Sequence, residues 1–252
     1  DNLITKIENA VEKILQFSVN CNETWIQMFE KDGVRASKRP GDGLICVRGE
    51  TILPYSIPEI YQYISKLERR KELDPQIDTY TRVKWFSQHS GIEHILFKAI
   101  WPTAPRDFCN ITHWRLLKNG TFITLGFSEN IEECPEKEGI VRGNLLIGGY
   151  VMQHVPGGTR IFIVVQMDLG GTLPTAITNL AAQSQPLVLI TLRNILDTEY
   201  QNKPRPDLST SKPPTYQEML EVEKQVTGNI FDKKQKKKNS QIEQIKSLDN
   251  QN

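Results

Sequence analysis

Closely spaced cysteines are missing from this 252-residue chain. Its four, Cys21, Cys46, Cys109 and Cys134, lie far apart, which excludes a CxxC redox motif and zinc-like ligand spacing and fits free thiols in a reducing compartment. An excess of one charge is missing too. The formal net charge is +1, so nothing global argues for a nucleic-acid partner, and the basic excess is local, in the lysine run at 233–238. No run of about eighteen apolar residues is present to span a bilayer as a helix. No charged-then-apolar leader opens the chain, although Asp1 in place of Met leaves processing open. These absences predict a cytoplasmic protein, and three possible glycosylation sequons, at Asn22, Asn110 and Asn119, are expected to go unused.

Catalytic signatures are equally scarce. His89, His94, His113 and His154 are scattered, with no HExxH, no GxSxG and no glycine-rich phosphate loop. His94 and His113 could approach across strands, but no base-orienting pattern accompanies them. The chain therefore reads as a non-enzyme, with no metal site and no cofactor. The most telling absence is local: from 173 to 190 there is no Lys, Arg, Asp or Glu. Apolar periodicity through Ile177, Leu180, Ala181, Leu187 and Val188 makes this the start of a long, greasy helix that covers either a core or a ligand.

What is present organises as helix, strands, short helices, strands and a closing helix. Leu3, Ile7, Val11, Ile14 and Phe17 mark an amphipathic first helix ending near Val19. Strand patterns follow at 25–29 and 44–47, separated by turns at 31–33 and 40–43. Ser56-Ile57-Pro58-Glu59 reads as a helix N-terminus, and a second short helical turn lies around 69–73, before Pro75. Six strand patterns then occupy 79–86, 92–101, 108–117, 121–128, 141–154 and 160–169, joined so tightly that antiparallel pairing is expected throughout. The class is α+β: a curved antiparallel sheet with the long closing helix over its concave face. Packing is expected within residues 1–200, with 201–252 a Pro-rich linker and a Lys-rich, largely disordered tail. Residues 216–231 could form a short helix. Pro213-Pro214-Thr215-Tyr216 fits a PPxY ligand for WW domains or a plain linker.

Three segments in order, Trp101-Pro102-Thr103-Ala104-Pro105-Arg106-Asp107-Phe108, Gly139-Ile140-Val141-Arg142 and Asp168-Leu169-Gly170-Gly171-Thr172-Leu173-Pro174, resemble the signatures of the StAR-related lipid transfer (START) domains. The resemblance spans about residues 3–196. It implies the helix-grip fold, a sheet wrapped around the C-terminal helix to enclose a lipid tunnel, and a monomer that carries one lipid and touches membranes transiently, peripherally and without spanning them. Such a tunnel suits the chemistry: at about 0.8 kcal/mol per CH₂, a sixteen-carbon chain in water represents on the order of 12 kcal/mol.

The resemblance also implies site residues. Arg70 and Asp74 match the headgroup-binding Arg and acid of the phosphatidylcholine-transfer branch; four apart, they would share a face and pair if the short helix continued. The aromatic cage of that branch falls on Phe97, Phe108 and Leu146, so one wall is missing. The ceramide pattern falls on Ile95 and Leu146 and fits worse. In the sterol branch an acid and an Arg sit on neighbouring strands; Glu93 takes the first place but Thr112 the second, so Glu93 must find another partner or be protonated. Ile177, Leu180, Ala181 and Ser184 are expected to face the lipid from the closing helix. Trp101 and Pro102, on the loop before the Arg-Asp-Phe tripeptide, and Pro186, expected to kink or break the helix near Gln185, are candidates for gate and membrane contact. A glycerophospholipid is the favoured cargo; a sterol or other neutral-lipid carrier, a lipid-sensing module and a helix-grip enzyme are the alternatives.

Overall fold

The first helix, α1 (Leu3–Phe17), forms as the periodicity predicts and stops two residues before Val19. Asn2 caps it by accepting from the Thr5 amide at 2.9 Å, which satisfies a donor the first turn cannot. Its stripe of Ile7, Ala10, Val11, Ile14 and Phe17 is buried among residues such as Cys109, Ile111, Leu125, Ile147 and Val151 on the outer face of the sheet. The computed structural model describes residues 2–20, 25–39 and 44–228; the turn expected at 40–43, the Asn22 sequon, Cys21 and the lysine cluster lie outside them.

The sheet opens with a hairpin, β1 (Ile26–Lys31) and β2 (Val34–Lys38), turning through Asp32 at φ 49° and Gly33 at φ 70°. The sequence expectation has no β2, because its inward Val34 and Ala36 alternate with Arg35, Ser37 and Lys38 in a run that reads as polar. β3 (Ile45–Leu53) extends well beyond the expected 44–47 through Arg48, Gly49 and Glu50. Ser56 and Glu59 form the predicted capping box at the head of α2 (Ile57–Ile64). A 3₁₀ turn at Leu67–Arg69 leads into the single-turn α3 (Arg70–Leu73).

β4 (Ile77–Trp85), β5 (Ser90–Phe97), β6 (Arg106–Leu116), β7 (Phe122–Ser128), β8 (Val141–Arg142), β9 (Asn144–Val155) and β10 (Gly158–Asp168) complete the sheet. Its order is β1-β2-β3-β10-β9-β7-β6-β5-β4. Pairing along this path is antiparallel as expected, with one correction: β8 pairs with β6 in parallel. The chain reaches that position after the 129–140 loop, a connection long enough for a parallel return. Asn110 lies in the middle of β6, 2 % exposed and accepting from the Ser128 hydroxyl, so its sequon is closed to modification.

The long closing helix, α4 (Thr175–Tyr200), is continuous through Pro186, so the expected break near Gln185 does not occur. The reason lies in β3. A Cβ at Gly49 would stand 3.0 Å from Pro186 Cβ and 3.1 Å from its Cα, so the bare glycine lets the proline seat against the sheet and the pyrrolidine is accommodated by packing. From Pro186 onward the helix is anchored: Val188, Leu189, Leu192 and Leu196 are buried, Arg193 donates to Thr51 Oγ1 at 2.6 Å, and Asp197 accepts from the Tyr55 hydroxyl at 2.5 Å. Before Pro186 none of its residues is fully buried: Ala181 and Ala182 pack against the core in part, and Leu180 is 51 % exposed.

Residues 201–228 do not trail away as a linker. The Gly157 amide donates to Leu208 O at 3.1 Å, and α5 (Tyr216–Thr227) docks beside α2. Thr215 and Glu218 cap that helix reciprocally, Tyr216 meets His89 Nε2 at 2.7 Å, and Met219 is fully buried. The Pro213–Tyr216 tetrapeptide is therefore built into the start of a packed helix in this structure. Burial of one Met and one Tyr face holds a segment whose composition is otherwise polar.

Candidate functional site

Between the concave face of the sheet and α2, α3, α4 and α5 lies a cavity of about 390 Å³. It exists because β5, β6, β7 and β9 alternate: Phe108, Asn110, Thr112 and Trp114 face inward while Cys109 and Ile111 face α1. Glycines thin the floor, with Gly126, Gly148 and Gly149 lining it without side chains. The walls are mostly apolar and aromatic, and a line of polar groups crosses them.

At one point on that line is Arg70. Its guanidinium lies 5.2 Å from the Tyr80 ring and close to the Tyr150 hydroxyl, whose pKa it draws down against burial, while its Nε has no partner. Burial opposes its charge, but Tyr80, Tyr150 and Glu93 around it outweigh burial and hold its pKa above the ordinary arginine value. No ion pair joins it to Asp74 among the described residues. α3 ends at Leu73 and Asp74 is already extended, at φ −133° and ψ 101°, so the shared helical face needed for an i,i+4 pair is absent. Asp74 instead accepts from the Gln76 amide at 2.9 Å; burial raises its pKa, partly offset by that bond and by nearby Gln185 and Lys98. Both residues line the cavity, and Arg70 faces it with a charge that no carboxylate bonds.

Glu93 does point inward, 3 % exposed, and its partner is Arg82. The two sit opposite each other in the β4–β5 ladder and form an ion pair, which Tyr80 completes by donating its hydroxyl to the other carboxylate oxygen. An acid and an arginine thus meet on neighbouring strands, but the arginine comes from β4; Thr112 on β6 faces Gly91. The Arg82 guanidinium also stacks 3.6 Å from the Trp85 ring.

Phe97 and Phe108 line the cavity as an edge-to-face pair with centroids 5.7 Å apart, and Ile95 lines it too. Leu146 does not. The register steps from Gln166–Ile147 to Met167–Leu145, which makes Leu146 the extra residue of a bulge and turns Leu145 inward in its place. Four residues on, Tyr150 supplies an aromatic that the expected cage lacks. Of α4, only Gln185 and Val188 reach the cavity; Ile177, Leu180, Ala181 and Ser184 do not line it, because the helix stands off before Pro186. Trp101 projects from its loop, 90 % exposed, and Pro102 beside it is exposed as well.

The three signature segments converge elsewhere, at one corner of the sheet. Asp107, 1 % exposed, accepts from Arg142 Nε at 2.7 Å and Nη2 at 2.9 Å, and meets His94 Nε2 at 2.8 Å. Burial alone would raise the Asp107 pKa, but Arg142 and His94 together hold it below the usual value. Gly170, at φ 70°, packs so close that a Cβ would lie 2.7 Å from Arg142 O. Two segments are clasped by an ion pair and the third is pressed against it, so Asp107, Arg142 and Gly170 build the fold, and of the three segments Phe108 is the residue that lines the cavity. His94 is committed to this corner, and His113 lies against Ser90 at 2.8 Å, so the two histidines do not meet.

Sequence reasoning passes over Tyr61, Arg82, Tyr150 and Glu223. The first three carry a usable signal, an aromatic or arginine at an inward position of an alternating or capped element. Glu223 carries none, since it reads as one of several charges on a polar helix. Among the described residues no helix is long and apolar enough to cross a membrane, and no group of three His, Cys, Asp or Glu side chains is placed to hold a metal.

The START domain profile matches residues 5–199. StAR-related lipid transfer protein 5 of Mus musculus is 25% identical over 181 residues, spanning 68% of this chain and 84% of that protein. Among solved structures, human StAR-related lipid transfer protein 5 is similar with a TM-score of 0.67 at 21% identity, covering 77% of this chain and 95% of that one. Human STARD10 is similar with a TM-score of 0.64 at 17% identity, covering 76% and 82%. These likenesses establish the helix-grip architecture, a curved antiparallel sheet gripping the long C-terminal helix.

Proposed function

Because the chain belongs to the START domain family, we propose that it encloses one lipid in the cavity between sheet and α4 and exchanges it at membranes. A glycerophospholipid is the favoured cargo. The observation that carries this is Arg70, a cavity-facing guanidinium with an unpartnered Nε and no carboxylate bonded to it. A phosphate would supply the missing countercharge through two or more charge-assisted bonds. The name of the mouse relative, a lipid transfer protein, supports carriage over chemistry.

Exchange requires a route for the lipid. The half of α4 before Pro186 makes few anchoring contacts, and the proline withholds the amide that would tie the two halves. That half is the proposed gate, with exposed Leu180 and Trp101 as the side chains that enter the headgroup region. The protein would accordingly reside in the cytoplasm and visit membrane surfaces as a monomer.

A second reading, a sterol or other compact neutral lipid, has its own support. The cavity of about 390 Å³ lies toward the small end of ligand pockets, and Arg82 on its wall already has its charge balanced by Glu93. Protein purified without detergent, incubated with mixed vesicles and examined by native mass spectrometry separates the two. Phospholipid extraction that falls about tenfold or more in Arg70→Ala, as expected for a lost charged hydrogen bond, with unchanged circular dichroism, supports the first. Sterol extraction indifferent to Arg70 supports the second, and a chain that extracts nothing refutes both. Repeated vesicle-to-vesicle delivery distinguishes a carrier from a sensor.

A further inference from the structure

The family profile ends at residue 199, yet the cavity does not. α5 contributes Glu223, Val226 and Thr227 to its wall. The placement is specific: Met219 is fully buried, and Glu223 is 4 % exposed, accepting from the Tyr61 hydroxyl through Oε2. No hydrogen bond reaches its other oxygen, Oε1, among the described residues, and the residue lines the cavity. A carboxyl group needed only to anchor α5 to α2 would be a poor choice for this place, because an incompletely bonded buried acid is costly and a neutral amide would accept the same bond.

We propose that Glu223 is a specificity-determining residue, which uses its free oxygen to accept a hydrogen bond from a hydroxyl or ammonium group of the enclosed lipid. The proposal rests on the lipid-cavity reading and extends it: selectivity would be set in part by a segment outside the family domain. Position supports it. Tyr61, which donates to Glu223, lines the same cavity as Arg70, Tyr80, Arg82 and Glu93, so a headgroup held at Arg70 shares one enclosed space with Glu223. The charged and titratable groups acting on Glu223 are Tyr61 from α2, Arg82 from β4 and Glu93 from β5. Burial pushes its pKa up to about 6 despite the Tyr61 bond and Arg82, so near neutral pH it accepts as a carboxylate.

Two lipid sources share this donor chemistry, and matched pairs tell them apart. The full chain is incubated with phosphatidylcholine-matrix vesicles carrying cholesterol and its 3-methyl ether in equal amounts, or with vesicles of phosphatidylethanolamine and phosphatidylcholine of identical chains. Bound lipid is quantified by native mass spectrometry. The wild type is expected to prefer the donor-bearing member of one pair by about tenfold. Glu223→Leu should abolish that preference while Glu223→Gln retains part of it, and α5 docking is checked in each by amide exchange. No preference in either pair, or a preference that survives Glu223→Leu with α5 still docked, overturns the proposal and leaves lipid carriage standing. If the leucine variant undocks α5, equal preference in Glu223→Gln and Glu223→Ser at intact docking overturns it. Failure to bind any of the four lipids overturns the cavity reading itself.

Discussion

Asp107→Ala should unfold the corner of the sheet without touching the cavity lining, and its cost can be worked from the structure. Asp107 is 1 % exposed and accepts three bonds, from Arg142 Nε at 2.7 Å, from Arg142 Nη2 at 2.9 Å and from His94 at 2.8 Å. Removing the carboxylate leaves the Arg142 side chain, 17 % exposed, with only the carbonyls of Cys134 and Pro135. Breaking a buried pair in this way costs about 3–5 kcal/mol. For a domain of this size that corresponds to a fall in Tm of roughly 10 °C. The loss should be shared by Arg142→Ala, and the double variant should cost less than the sum of the two, since each single variant strands the other partner. Urea titration with circular dichroism provides the free energies. Lipid bound per folded molecule should remain that of the wild type. A cost below about 1 kcal/mol, or a lipid-binding defect in fully folded protein, would refute the assignment of these signature residues to the architecture.

Gly49→Ala should destabilise by about 1–3 kcal/mol, because the new Cβ would stand 2.9 Å from Ile163 Cγ2 and 3.0 Å from Pro186 Cβ; a shifted urea midpoint with faster amide exchange in α4 is the expected result, and an unchanged midpoint would show that the helix is not seated there. Acid should act through two groups of opposite sign. Burial, with Arg115 and His89 nearby, holds the His113 pKa down at about 4, so stability present above the unfolded value near 6.5 is lost as pH falls, on the order of 2 kcal/mol by pH 5. Glu223, raised to about 6, works the other way and returns about 1 kcal/mol over pH 7 to 5. The pH 7-to-5 loss, measured by urea midpoint, should therefore shrink in His113→Gln and grow in Glu223→Gln; the reverse order would contradict both environments.

Most of the sheet is legible in the sequence because β6, β7 and β10 are runs rich in apolar and β-branched residues bounded by turns, and the closing helix is legible because charge is absent from 173 to 190. Where such a run is absent or its register slips, legibility fails. β2 hides in a basic run, and the bulge on β9 exchanges Leu146 for Leu145, a one-residue slip that no count along the strand reveals. The Arg82–Glu93 pair depends on a ladder whose register shifts between Arg82 and Lys84, so the arginine could not be matched to its acid by position alone. Arg70 and Glu93 are recognisable as cavity residues, but Glu223 is not. Its burial depends on α5 returning across some 160 residues to Tyr61, a tertiary event with no local signature beyond the capping box.

The greasy stretch that opens α4 acquires a physical meaning from its two halves. Residues after Pro186 bury their apolar face as any packed helix does, while Leu180 stays half in solvent at 51 % exposure and Ile177 and Ala181 are only partly covered. Leaving such side chains in water forgoes about 1.5–3 kcal/mol for each large one, a cost that a structural helix has no reason to bear. A glycerophospholipid, with on the order of fifty non-hydrogen atoms, also exceeds the drug-sized ligands that pockets of a few hundred Å³ enclose. The cavity of about 390 Å³ must then enlarge to admit it, and the part of its surroundings least bound to the sheet is this same segment. Under the proposed function, the uncovered apolar face and the undersized cavity are two views of one requirement: the first half of α4 is held loosely because it has to move, and the acyl chains provide the surface it then packs against.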